Sequence, residues 1–150
     1  DCLDIQSGDE VLVSNYTMIA TANAPRLVNG KTVLVDISRE NLCMCPQDLK
    51  KKITRRSKFC IYTSINGRMG HIDEIKKICK KNNIKIIEDA AEALGSTIKI
   101  SKNKFLNCGV IGDIGCFSFN ATKIITTASG GALVTNNKKY YYYTTRVSTC

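Results

Sequence analysis

Short apolar runs recur along the chain, and between them the apolar residues fall at helical spacing. The runs are residues 11–13, 32–37, 58–63, 84–87, 116–119 and 132–135. Val and Ile fill most of them with little polar alternation. A strand with one wet face alternates, so unbroken runs predict strands covered on both sides. Residues 16–27 are rich in Ala, and Met18, Ile19 and Ala22 can share one helical face. Residues 46–53 open with Pro46, a residue favoured just inside a helix start. Residues 72–81 place Ile72, Ile75, Ile78 and Cys79 on one side and lysines on the other, the stripe of an amphipathic helix. Asn82-Asn83 ends it. Tyr140 to Tyr143 reads as the packing side of a terminal helix.

Strands alternating with helices predict an α/β fold: three layers, α/β/α, around a mainly parallel mixed sheet. Ligands of such sheets gather at the carboxyl ends of the strands. Attention therefore falls on the residues just after Ile87, Thr63 and Phe119.

Composition narrows the classes. The chain has 150 residues, 43% hydrophobic and 23% charged, which suits one globular core. No apolar run is long enough to cross a bilayer, and no signal-peptide pattern is seen, so a cytoplasmic location is expected. The net charge of +9 admits a nucleic-acid partner. No aromatic-basic motif or zinc-finger spacing supports one, and a lysine-rich solvated surface accounts for the charge. The eight cysteines include Cys60 and Cys116 inside strand-like runs, where a free thiol behaves as a small hydrophobe. Cys43 and Cys45 are too close together for the usual zinc pair, and His71 is the sole histidine. Reduced thiols and no metal are the expectation.

Three stretches can carry chemistry. In the first, the strand ending at Ile87 runs into Glu88, Asp89 and Glu92. A carboxylate there can ligate a metal, act as a base, pair with a protonated ring nitrogen, or simply suit a helix N-terminus. In the second, residues 112–127, Lys123 lies between Ser118 and a string of Ile and Thr. Desolvation favours a neutral, nucleophilic amine, although many such lysines reach out to water. Ser118 and Thr126 can donate to a phosphate or cap turns. In the third, residues 13–24, a strand leads into an N-capped helix whose Thr17 and free amides can meet an anion.

In order, these stretches resemble the DegT/DnrJ/EryC1/StrS family of sugar aminotransferases. The likeness runs from Gly8-Asp9-Glu10-Val11 through Ala20-Thr21-Ala22-Asn23-Ala24, Val35-Asp36-Ile37 and His71-Ile72-Asp73-Glu74-Ile75. It continues through Glu88-Asp89-Ala90-Ala91-Glu92-Ala93-Leu94-Gly95 and residues 112–127 to Gly130-Gly131. The resemblance implies the fold type I large domain of pyridoxal 5′-phosphate (PLP) enzymes and a homodimer with active sites at the interface. It also implies amino transfer, usually from glutamate, to a ketone on a nucleotide-linked deoxysugar. Lys123 matches the family's Schiff-base lysine and Asp89 the carboxylate on the pyridine nitrogen. Glu92 falls beside the ring, Ser118 at the phosphate, and Thr17 near the cofactor. Met18 stands where members often carry a stacking aromatic residue, with Tyr16 as a substitute. Ser64-Ile65-Asn66-Gly67-Arg68 replaces a frequent His-Leu-Tyr-Gly and points to a different sugar. The 150 residues then correspond to the central part of the large domain, without the Gly-Thr phosphate segment and the C-terminal small domain. Two other readings follow: a non-catalytic truncated remnant, and a PLP-dependent sugar dehydratase of the same fold. Those dehydratases typically replace the lysine with His, so Lys123 speaks against the second.

Overall fold

A computed structural model describes residues 3–147. The strands are β1 (Glu10–Ser14), β2 (Lys31–Val35), β3 (Ser57–Thr63), β4 (Lys85–Asp89), β5 (Thr97–Ser101), β6 (Lys104–Asn107), β7 (Ile114–Ser118) and β8 (Gly131–Val134). The α-helices are α1 (Ile19–Leu27), α2 (Pro46–Lys52), α3 (Ile72–Lys81) and α4 (Lys138–Val147). Six strands form one sheet in the order β2-β1-β3-β4-β7-β8. All neighbours run parallel except β7 and β8. Strands β5 and β6 form a separate antiparallel pair.

Alternate side chains of the central strands enter two cores, because successive residues of a strand point to opposite faces. Leu12, Cys60, Tyr62 and Ile86 join Leu49 of α2 and Ile72, Ile75 and Ile78 of α3 on one face. Val11, Val13, Phe59 and Ile61 form the other core, with Ala22 of α1 against it. This is the expected three-layer arrangement. Strand β1 is buried at every position, and β3 at all but Lys58. The unbroken apolar runs thus mark the central strands. The outer strands differ: Leu34 of β2 and Leu133 of β8 are each 53% exposed, because each strand has a neighbour on one side only.

Local chemistry explains the helix ends. Pro46 opens α2 as expected, and Ile53 closes it with an extended backbone. In α3 the apolar stripe is buried, and Asn82 ends the helix with its backbone and side chain returning to Ile78 O. The first helix begins at Ile19 rather than residue 16. Met18 occupies its cap position in extended conformation with no side-chain cap. Thr17 pairs its hydroxyl with that of Thr63 at 3.1 Å. Met18 and Ile19 are exposed, so Ala22 alone of that predicted trio faces the core. The tyrosine run also departs from expectation. Tyr141, Tyr142 and Tyr143 are about half exposed on α4, with an edge-on contact between the first two.

Cys43, Cys45, Cys60, Cys79, Cys108 and Cys116 are free thiols; Cys2 and Cys150 lie outside the described residues. Cys60 is fully buried, whereas Cys116 is partly exposed. Burial pushes the Cys108 thiol up to about 11, so it is a packing group at neutral pH. Among the described residues no helix is long and apolar enough to cross a membrane.

At the amino edge of β1, the side chain of Glu10 is 3% exposed and meets Lys31 at 3.3 Å and Arg56 at 3.1 Å. The Thr54 hydroxyl, more than either cation, holds its carboxyl below the ordinary value of 4.5, against the opposing effect of burial. A carboxyl lowered in the fold stabilises above its unfolded pKa, and that contribution is lost as pH falls through the folded value. The urea midpoint of the complete protein should therefore drop as pH falls below 4.5. In Glu10→Gln this part of the acid sensitivity should be missing; an unchanged pH profile would contradict the assignment.

Candidate active site

The carboxyl ends of β3, β4 and β7 lie side by side. Thr63 is in register with Asp89, and Asp89 with Cys116. Backbone bonds seal the crossing: Ser64 N–H donates to Asp89 O at 3.0 Å, and Ala90 N–H to Cys116 O at 2.9 Å. Strand β4 runs two residues further than the sequence pattern marks and carries its acids to the sheet's rim. Alternation sends Glu88 and Asp89 to opposite faces.

Glu88 is fully buried. Its carboxylate accepts the backbone N–H groups of Gly109, Ile111 and Gly112, fixing the loop that feeds β7. Asp113 ties the same loop to β4 by accepting Ile86 N–H at 2.8 Å. Gly115 lets the two segments close, since a Cβ there would stand 1.9 Å from Gly109 O. Glu88→Ala removes all three acceptor contacts, and each buried donor left unpaired costs about 1–3 kcal/mol. A loss of roughly 3 kcal/mol or more is expected from urea unfolding. An unchanged midpoint would show that the loop is held by other means.

Asp89 faces a cavity of about 570 Å³. Its Oδ2 accepts the Thr21 hydroxyl at 2.6 Å, and its Oδ1 the Ala91 N–H at 3.2 Å. Glu92 lies on the same wall. Its Oε2 accepts the Asn66 N–H at 3.0 Å, and its Oε1 stands 3.6 Å from Lys123 Nζ. Asn66 supplies that N–H from a single 3-10 turn, with a left-handed φ of +50°. Lys123, 18% exposed at its side chain, thus sits against a carboxylate rather than in the uncharged neighbourhood its sequence suggests.

The segment carrying Lys123 is a folded loop between β7 and β8. Lys123 N–H returns to Asn120 O, Thr127 N–H to Phe119 O, and Phe119 N–H to Gly130 O. Gly130 makes the closing turn at φ +100°, where a side chain is disfavoured. Thr126 belongs to the turn: its hydroxyl donates to Phe119 O and accepts Ala128 N–H. Ser118, by contrast, lines the cavity.

The six residues singled out from the sequence, Thr17, Met18, Asp89, Glu92, Ser118 and Lys123, all line this one cavity. Met18 does so and Tyr16 does not. Sequence reasoning missed Thr21, a hydroxyl in an Ala-rich stretch, and Asn66, whose backbone holds Glu92. Apolar walls come from Ile61, Ile65 and Ile87. The chemistry available is an amine beside one carboxylate, with a second carboxylate clamped at both oxygens. Such a pocket suits a ligand that has both apolar surface for the isoleucines and positive charge for the carboxylates, with the amine a candidate nucleophile.

Comparison with known proteins shows what the chain is similar to. GDP-perosamine synthase of Escherichia coli O157:H7 is 38% identical over 125 residues, covering 83% of this chain and 33% of that protein. The aminotransferase from Psychrobacter cryohalolentis superposes with a TM-score of 0.86 at 30% identity, covering 93% of this chain and 34% of the other. The E. coli GDP-4-keto-6-deoxy-D-mannose-3-dehydratase with bound hydrated PLP superposes with a TM-score of 0.81 at 28% identity, covering 92% and 34%. The chain therefore spans about a third of the length of the relatives it matches. The family profile matches residues 1–149, the same span that carries the β4 acids and the Lys123 loop, and the chain belongs to the DegT/DnrJ/EryC1/StrS aminotransferase family.

Proposed function

We propose that these residues form the central part of the PLP-binding large domain of a sugar aminotransferase. The enzyme moves an amino group from an amino acid, with glutamate the donor the family favours, to a ketone on a nucleotide-linked deoxysugar. The observation that carries this reading is Lys123 and Asp89 on one cavity at the carboxyl ends of parallel strands. Lys123 also separates it from the dehydratase reading.

The cavity residues fit PLP by chemistry. Lys123 supplies the amine that holds the cofactor, and Asp89 accepts from the protonated ring nitrogen. Ser118 offers a hydroxyl to the phosphate, Met18 an apolar thioether to the ring face, and Thr17 a hydroxyl at the cavity wall. Bound PLP supplies an electron sink for the charge left when a Cα proton departs. The protein's residues do the rest. Asp89 would keep the ring edge positive, and the Lys123 amine would take up and return the Cα proton as general base and acid. Glu92, in contact with Lys123 Nζ, holds the amine on that side of the cavity. The substrates and partner fit the family habit: a soluble cytoplasmic homodimer acting on a nucleotide-linked keto-sugar.

Titration of the PLP-loaded complete protein tests the reaction. Glutamate should bleach the visible cofactor band, and a nucleotide-linked 4-keto- or 3-keto-deoxysugar should restore it. A band that no amino acid bleaches would contradict amino transfer.

A further inference from the structure

Thr21 carries none of the roles above, yet its hydroxyl makes a short contact at the heart of the site. Thr21 Oγ1 donates to Asp89 Oδ2 at 2.6 Å, joining the first turn of α1 to the end of β4 across 68 positions of sequence. A helical threonine commonly gives its proton to a carbonyl of its own helix. Thr144 and Thr145 of α4 do so, to Tyr140 O and Tyr141 O. Thr21 gives its proton to a carboxylate instead. The second oxygen of Asp89 accepts Ala91 N–H, so the group is held at both ends. A carboxylate has roughly four acceptor sites; these two contacts leave the others free beside the cavity, which Thr21 itself lines.

We propose that Thr21 is a positioning residue for Asp89, its hydroxyl fixing the carboxylate so that the free lone pairs meet the ring nitrogen of the cofactor. The inference rests on the reading of Asp89 as the ring partner. Without the hydroxyl, Oδ2 loses its anchor and the carboxylate can turn about its side-chain bonds, so the ring meets a less ordered acceptor. Thr21 would act through Asp89 alone, and its effect would disappear when the carboxylate is absent.

The test is PLP affinity of the complete protein, read by titration of the visible band, for wild type, Thr21→Val, Thr21→Ser, Asp89→Asn and the Thr21→Val/Asp89→Asn pair. Hydrogen bonds to charged groups are the strong ones, so Thr21→Val, which keeps shape and removes the hydroxyl, should weaken PLP binding roughly tenfold. Thr21→Ser should restore it. In the Asp89→Asn background the Val substitution should add little, as coupled residues are non-additive. If Asp89→Asn weakens binding while Thr21→Val does not, the positioning role is overturned and the Asp89 assignment stands. If the Val effect persists undiminished without the carboxylate, Thr21 acts structurally and the proposal also falls. If Asp89→Asn itself changes nothing, the ring-partner reading fails and takes this one with it. Thr21→Ala provides a second hydroxyl-free variant should the Val form not fold, with the same outcomes.

Discussion

A Lys123→Ala variant of the complete protein is expected to lose both its covalent hold on the cofactor and its turnover. General acid–base catalysis by one positioned side chain is worth about 10²–10⁴-fold, and Lys123 is assigned a proton-transfer role as well as the cofactor bond. Turnover should therefore fall by at least about 10³-fold. The visible band of lysine-bound PLP should vanish, while the far-ultraviolet circular dichroism stays unchanged. The fold is expected to survive because Lys123 lies in a loop outside both cores, and its ion pair with Glu92 is partly solvated. A variant that keeps the band would move the cofactor bond to another lysine.

Asp89→Asn carries the second large effect. The substitution keeps size and removes the charge that the proposal assigns to the ring nitrogen. Preorganised electrostatic contacts to a reacting group are worth about 10²–10³-fold in kcat, and a loss of that order is expected. The loss should appear in kcat more than in the KM for the amino donor, because the charge matters most as the carbanion forms. Unaltered kcat would leave Asp89 a structural residue held by Thr21 and Ala91.

Much of the fold is legible in the sequence. The central strands announce themselves by unbroken apolar runs, and α3 by its Ile stripe, because both patterns follow from burial. The β5–β6 hairpin was not found. Ile98-Lys99-Ile100 is too short an alternation to mark a strand, and Phe105 and Leu106 are adjacent rather than alternating. Only Ile98 and Leu106 reach the core. The Ala-rich pattern points to a start for α1 at residue 16, three residues before Ile19, because nothing in it marks Met18 as the extended cap position.

The site divides the same way. Asp89, Glu92, Ser118 and Lys123 could be named because strand ends and a family likeness mark them. Their mutual contacts could not. The Lys123–Glu92 pair joins the connection after β4 to the loop between β7 and β8, and the Thr21–Asp89 bond joins two elements 68 residues apart. The tyrosines of α4 read as packing residues, but Tyr141, Tyr142 and Tyr143, consecutive and so pointing different ways around the helix, are each about half exposed in this chain.

The central claim, that Lys123 is the cofactor lysine, is tested most directly by borohydride reduction. The complete protein is loaded with PLP, reduced and digested, and its peptides are mapped by mass. The account predicts a phosphopyridoxyl group on Lys123. The same group on a different lysine, or on none in a folded, PLP-saturated sample, would contradict it.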